Sequence, residues 1–337
     1  MKKRIEWIDS LRGFAMFFVI FGHAFYIRNN FIRNYIYSFH MPLFFFISGL
    51  TYKRKDISYL DYLKKKIKNL LLPYLCLNIF VFIFKIVLNL LFGLYSSTSL
   101  MSAIEFTIKG YSNLIPCIQS WFILSLFIID IIFFTLTKVF KKDYMVTIFV
   151  IIIFILGILY SRTNYTFLQY WHIDTSLVGL IFYYFGYILM KYYEKIKSLI
   201  SNYKSLIFVI IAIPLGYYIQ SINGRISMNA NRYNNIIEFL GSSMLTILSL
   251  VIICIVLLKK DILFNKVGRM SMFYLGYHGF IITPMKTFAP DILTNHYLTF
   301  LMSLGTFLVL FPIAKLAYKY VPITIGKFKG EDITWKR

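Results

Sequence analysis

The sequence predicts an all-α, polytopic integral membrane protein with about ten transmembrane helices. Three observations carry this. Of 337 residues 59% are apolar and only 15% charged, and the mean hydropathy is +0.69. A soluble domain is nearer 45–50% apolar and about 25% charged. The charges also cluster between long uncharged runs such as Ile148–Tyr160 and Leu240–Leu258. This excludes a soluble enzyme, a disordered chain and a collagen-like fibre.

Each expected span is an apolar stretch approaching the roughly 20 residues that cross a bilayer. The first, 8–27, follows Met1-Lys2-Lys3-Arg4 and looks like a signal peptide, but Asp9, Arg12 and His23 inside it argue for a retained helix. The second, 36–52, holds His40 and Pro42 and ends at Lys53–Lys55. The third, 69–92, follows Lys64–Lys68, and the fourth, 118–137, runs into Lys138–Lys142. The fifth and sixth, 144–160 and 173–190, lead to the basic stretch Lys191–Lys204. Then come 205–221, interrupted by Pro214, and 236–258, followed by Lys259–Arg269. The last two are 270–288, with Pro284, and 297–317, before a basic tail from about residue 318. No repeat or linker divides the chain, so one membrane-embedded domain is expected over 1–337.

Thirty-six basic against 14 acidic residues give +22. In a soluble protein that excess suggests nucleic acid. Here it falls in alternate loops with a roughly fourfold bias, as cytoplasmic loops require, so no nucleic-acid partner is expected. Both termini are placed in the cytoplasm of a cell membrane, with outer loops at Leu94–Ser120, Ser161–His172 and Gln220–Asn235. Abundant Ile, Lys, Asn, Phe and Tyr fit an AT-rich bacterial genome. Cys76, Cys117 and Cys254 suggest neither a disulfide framework nor a metal site.

Ionisable groups inside a membrane are costly and mark functional candidates. Arg12 and His23 are eleven residues apart, which returns to within about 20° of one helix face. Helical rise separates them by roughly 16 Å. A guanidinium at the membrane edge and an imidazole deeper on the same stripe suit a long anionic ligand. His40 and His278 reach a similar depth; His278 is about 13 Å up from Arg269. Asp9 stands too far from His23 to touch it and is expected to pair with Arg12 or a loop lysine. Asp130 is either part of the site or simply paired. Asp174 and Glu238 read as helix-end carboxylates, and His172 and His296 as interfacial. Trp121, Trp171, Tyr165 and Tyr170 suit either sugar stacking or an aromatic belt.

The segments RIEWIDSLRGFAMFFVIFGHAF, FHMPLFFFISGLTY, YLKKKIKNLLLPY, SWFILSLFI and GRMSMFYLGYHGFI occur in that order. Together they resemble the membrane acyltransferase-3 family, most closely its single-domain sugar O-acetyltransferases such as fucose 4-O-acetylase-like proteins. The resemblance covers about residues 4–285. It implies transfer of acetyl from acetyl-CoA to a hydroxyl of a cell-surface or lipid-linked glycan. His23 matches the family's first-helix histidine, associated with catalysis, and Arg12 the arginine associated with coenzyme phosphate. His40, His278 and Trp121 match further family positions: the histidines are catalytic candidates and Trp121 a substrate-binding one.

Where relatives carry Arg-x-x-Arg in the second cytoplasmic loop, this chain has Lys66-Ile67-Lys68-Asn69. Lysine supplies charge without a bidentate fork; Lys65, Lys66 and Lys68 are the coenzyme-binding candidates there. The expected partners are acetyl-CoA, the glycan and the bilayer, with no metal and with a homo-oligomer left open. A transporter or flippase for a glycan or amphiphile is the alternative. It would favour internal repeats and paired broken helices, which the sequence lacks.

Overall fold

The computed structural model describes residues 5–27, 30–93, 99–111, 114–163, 165–258 and 263–327. The basic segments expected at 2–4, 259–260 and 328–337 lie outside these residues. The structure is all-α, with no strand among the described residues. Seven helical segments are long and apolar enough to cross a membrane: Tyr59–Phe92, Ile118–Val139, Asp143–Ser161, Phe167–Lys191, Tyr203–Asn223, Ile236–Val256 and His296–Tyr320. The other three expected spans carry the polar groups described below. In chain order the α-helices are α1 (Glu6–Ala24), α2 (Phe31–Thr51), α3 (Tyr59–Lys66), α4 (Leu72–Phe92) and α5 (Leu100–Lys109). Then come α6 (Trp121–Val139), α7 (Asp143–Ser161), α8 (Ile173–Lys191), α9 (Tyr193–Ile200) and α10 (Leu206–Asn223). The last five are α11 (Ile236–Val256), α12 (Leu263–Arg269), α13 (Ser271–Tyr277), α14 (Gly279–Phe288) and α15 (His296–Tyr320).

The bundle is organised around α1 and α2. Without a hydrophobic drive between helices in lipid, close approach depends on small residues. A Cβ at Gly13 would overlap the Phe264 carbonyl and one at Gly268 the Asp9 carbonyl, so α1 and α12 meet backbone to backbone. Gly49 and Gly186 do the same for α2 and α8, against the carbonyls of Tyr183 and Phe46. Hydroxyls add directional ties. Ser243 donates to the Ser38 carbonyl at 2.7 Å, and Tyr35 bonds Thr246 at 2.8 Å, joining α2 to α11. Asn78 on α4 donates to Ser120 Oγ at 3.0 Å and accepts from the Cys117 amide at 2.9 Å, which fixes the start of α6.

Three sequence expectations change. The lysines of 64–68 are not in a loop. Ser58 caps α3 by accepting the Asp61 amide at 3.0 Å, and the helix continues through a π turn at Ile67–Leu71 into α4. Lysine is a good helix former, and nothing in the segment breaks it. The expected outer loop 94–120 contains α5, capped by Ser99, whose Leu100, Met101, Ile104 and Ile108 form an exposed apolar stripe. The span 270–288 is broken at His278 into α13 and α14. Pro42 and Pro214 lie within otherwise continuous helices. All three cysteines are buried.

Candidate active site

α1 carries Arg12 near its start and His23 near its end, and each opens onto a different cavity. At the Arg12 end, Asp9 is buried and shared by two guanidiniums. Arg12 Nη1 lies 3.1 Å from one carboxylate oxygen and Arg269 Nε 3.5 Å from the other. The close α1–α12 packing brings Arg269 there. A guanidinium has five N–H donors in a planar fork, a geometry that suits an anionic ligand as well as a carboxylate. Beside them lies a cavity of about 650 Å³ lined by Asp9, Arg12, Thr51, Lys53 and Lys191. Lys191 pairs with Asp143, as does Arg54 at 2.7 Å.

Lys66 forms an ion pair with Asp130, which also accepts from the Tyr183 hydroxyl at 2.7 Å. That contact fastens the α3–π–α4 helix to α6 and α8. Lys65 and Lys68 are exposed on the same helix. π turns often mark functional sites, and this one follows directly on Lys66.

A second cavity of about 190 Å³ continues inward from Arg12, between Met16, Ser48, Phe122, Met272 and Leu275. Leu275 also lines a third cavity, of about 340 Å³, at the other end of α1. Arg12 thus lines both the first and the second cavity, and Leu275 both the second and the third.

His23, His40 and Trp121 line the third cavity. The His23 ring lies 5.3 Å from that of His278 and 6.5 Å from that of His40, centroid to centroid. Three histidines from α1, α2 and the α13–α14 break thus converge. His40 Nδ1 is 2.8 Å from the Ile36 carbonyl and His278 Nδ1 2.7 Å from the Tyr274 carbonyl. A carbonyl only accepts, so each Nδ1 carries the proton and each neutral ring keeps its lone pair on Nε2. His278 is fully buried, and its Nε2 has no hydrogen-bond partner among the described residues. Among those residues no group of three or more His, Cys, Asp or Glu could hold a metal ion.

Sequence reasoning missed two neighbours. Arg269 was legible only as the start of a motif; its pairing with Asp9 needs the α1–α12 contact. His172, expected at an interface, is 2% exposed, and its ring lies 5.1 Å from that of Trp121. It occupies a kinked turn with φ +55°, and neither ring nitrogen has a partner among the described residues. Trp171, Tyr165 and Tyr170 do not line the cavity; Trp171 Nε1 instead donates to the Ile108 carbonyl at 2.9 Å. Asp174 accepts from the Thr175 amide at 2.7 Å in the first turn of α8.

Residues 5–315 match the model of a family described as an acyltransferase domain, acyltransferase-3. No curated protein and no solved structure matches the chain.

Proposed function

We propose, from the premise that this chain belongs to the acyltransferase-3 family of membrane acyltransferases, that it is an O-acetyltransferase. The donor is acetyl-CoA, and the acceptor is a hydroxyl of a cell-surface or lipid-linked glycan. The observation that carries this is the placing of three cavities along α1, the first lined by Asp9 and Arg12, the second by Arg12 and Leu275, the third by Leu275, His23 and His40.

Arg12 and Arg269, oriented by Asp9, hold coenzyme phosphate, because a guanidinium binds phosphate bidentately. Lys53, Lys65 and Lys68 add to the positive field, and Lys66 positions its helix through Asp130. The pantetheine arm extends along the narrow middle cavity, whose lining is mainly apolar and includes Met16 and Met272. The arm is comparable in reach to the roughly 16 Å of helical rise between Arg12 and His23.

His23 takes the proton of the acceptor hydroxyl as that oxygen attacks the thioester carbonyl. The tetrahedral oxyanion collapses, the C–S bond breaks, and the coenzyme thiolate takes the proton back from the imidazolium. His40 and His278, each held by an Nδ1–carbonyl hydrogen bond, flank His23 and can share its proton. Trp121 seats the sugar. The Arg12 end faces the cytoplasm, with both termini, so acetyl-CoA enters from inside.

The test is acetyl transfer from radiolabelled acetyl-CoA to envelope glycan in membrane vesicles. His23→Ala lowers the rate by about 10²–10⁴-fold, the range for loss of a general base. His40→Ala and His278→Ala are the controls: near-normal His23→Ala turnover with one control dead moves the base to that histidine. Activity in all three variants ends the histidine mechanism.

A further inference from the structure

The cavity at the histidine end has a one-sided charge lining. Arg33 from α2, Arg225 from the 224–235 segment and Lys286 from α14 all border it, and no Asp or Glu among the described residues does. Three elements distant in sequence thus bring cations to one chamber of about 340 Å³, a volume suited to a small ligand. Arg33 is held in place over the Tyr37 ring, 4.0 Å from its centroid.

An anion that enters this chamber meets cations from three separate elements. The remaining lining suits a sugar. Trp121 offers a ring face, backed by His172, and Asn229 keeps a buried amide oxygen without a partner among the described residues, able to accept a hydroxyl.

We infer that the acceptor is anionic: a glycan unit carrying a carboxylate or a phosphate close to the hydroxyl that is acetylated, held by Arg33, Arg225 and Lys286 while Trp121 stacks its ring. The inference rests on the acetyl-transfer reading and adds the acceptor's chemical class. It also divides labour between two basic sites, coenzyme phosphate at Arg12 and acceptor anion at Arg225.

The experiment compares surface glycans from cells with the gene, without it, and complemented by Arg225→Gln or Arg225→Lys, with acetyl esters mapped by mass spectrometry and NMR. The esters that disappear with the gene sit on acidic units, and the mapped unit itself distinguishes carboxylate from phosphate. At equal membrane levels Arg225→Gln lowers ester content by about tenfold or more, as loss of one member of a charge pair does. Arg225→Lys restores most of it, and purified Arg225→Gln binds acetyl-CoA as the parent does. Lys286→Gln carries the same reading should Arg225→Gln fail to reach the membrane. Esters on neutral units overturn the inference and leave the acetyltransferase standing. Weakened acetyl-CoA binding by Arg225→Gln also overturns it, because the cations then serve the coenzyme. If no ester depends on the gene, the acetyl-transfer reading fails, and this inference with it.

Discussion

At the Arg12 end of α1 the cations are anchored on carboxylates. Arg12 and Arg269 share Asp9, Arg54 and Lys191 share Asp143, and Lys66 sits on Asp130. At the His23 end Arg33, Arg225 and Lys286 border a chamber that no carboxylate of the described residues lines, and His40 and His278, the two histidines beside His23, are fixed by backbone carbonyls. The difference teaches how one helix can serve two tasks. A carboxylate fixes the orientation of a guanidinium, as Asp9 does for Arg12 and Arg269. A backbone carbonyl instead fixes which ring nitrogen of His40 and His278 carries the proton.

The largest effect expected from disturbing this arrangement comes at the junction. Leu275 alone among the lining residues is common to the middle and histidine-end cavities. Leu275→Trp should intrude into both cavities and misplace the thioester, lowering transfer by more than about 10²-fold. Acetyl-CoA binding to purified protein should persist, since the phosphates are held at the far end. Equal loss of binding and transfer would dissolve the distinction between the ends.

Next in size is Arg12→Lys. It keeps the charge and loses the fork, and should weaken acetyl-CoA binding by about 1.5–3 kcal/mol, measured by calorimetry. Unchanged affinity would reduce Arg12 to a membrane-edge anchor.

A smaller effect tests the scaffold that holds both ends in register. Gly49→Ala forces a methyl into the Tyr183 carbonyl and should destabilise the protein by about 1–3 kcal/mol, read as a lower unfolding temperature in detergent. Gly241→Ala, where nothing lies within 4 Å, is the matched control and should be near neutral or slightly stabilising.

The mildest perturbation reports orientation alone. The three native cysteines are buried, so background labelling is low. Thr163→Cys should react with an impermeant maleimide from outside and Ser58→Cys should not; the reverse pattern would put the Arg12 end outside. The outer-loop position Ser97 lies outside the described residues, which makes Thr163 the better probe.

What the sequence revealed follows from how costly each residue is in a membrane. His23, His40 and His278 stood out because an imidazole in an apolar span needs a reason, and helical periodicity put Arg12 and His23 on one stripe. The helix class followed from apolar runs such as 236–256. The partnerships were hidden, because they depend on tertiary contacts. Arg269 reaches Asp9 only because Gly13 and Gly268 let α1 and α12 touch, and Lys66 reaches Asp130 only because the basic segment is helical. His172 escaped because its burial depends on a turn with positive φ, which local pattern does not announce. Arg225 and Lys286 carry no local signal, and only the fold brings them to one chamber.

The central claim is that the two ends of α1 are separable, coenzyme at Arg12 and chemistry at His23. The most direct measurement is the acetyl-CoA affinity of purified His23→Ala, by calorimetry in nanodiscs, beside its transfer rate. The account predicts an affinity within about twofold of the parent while transfer is lost, because the phosphates bind roughly 16 Å away along the helix. An affinity reduced as far as that of Arg12→Lys would contradict it and place the coenzyme's anchoring groups among the histidines.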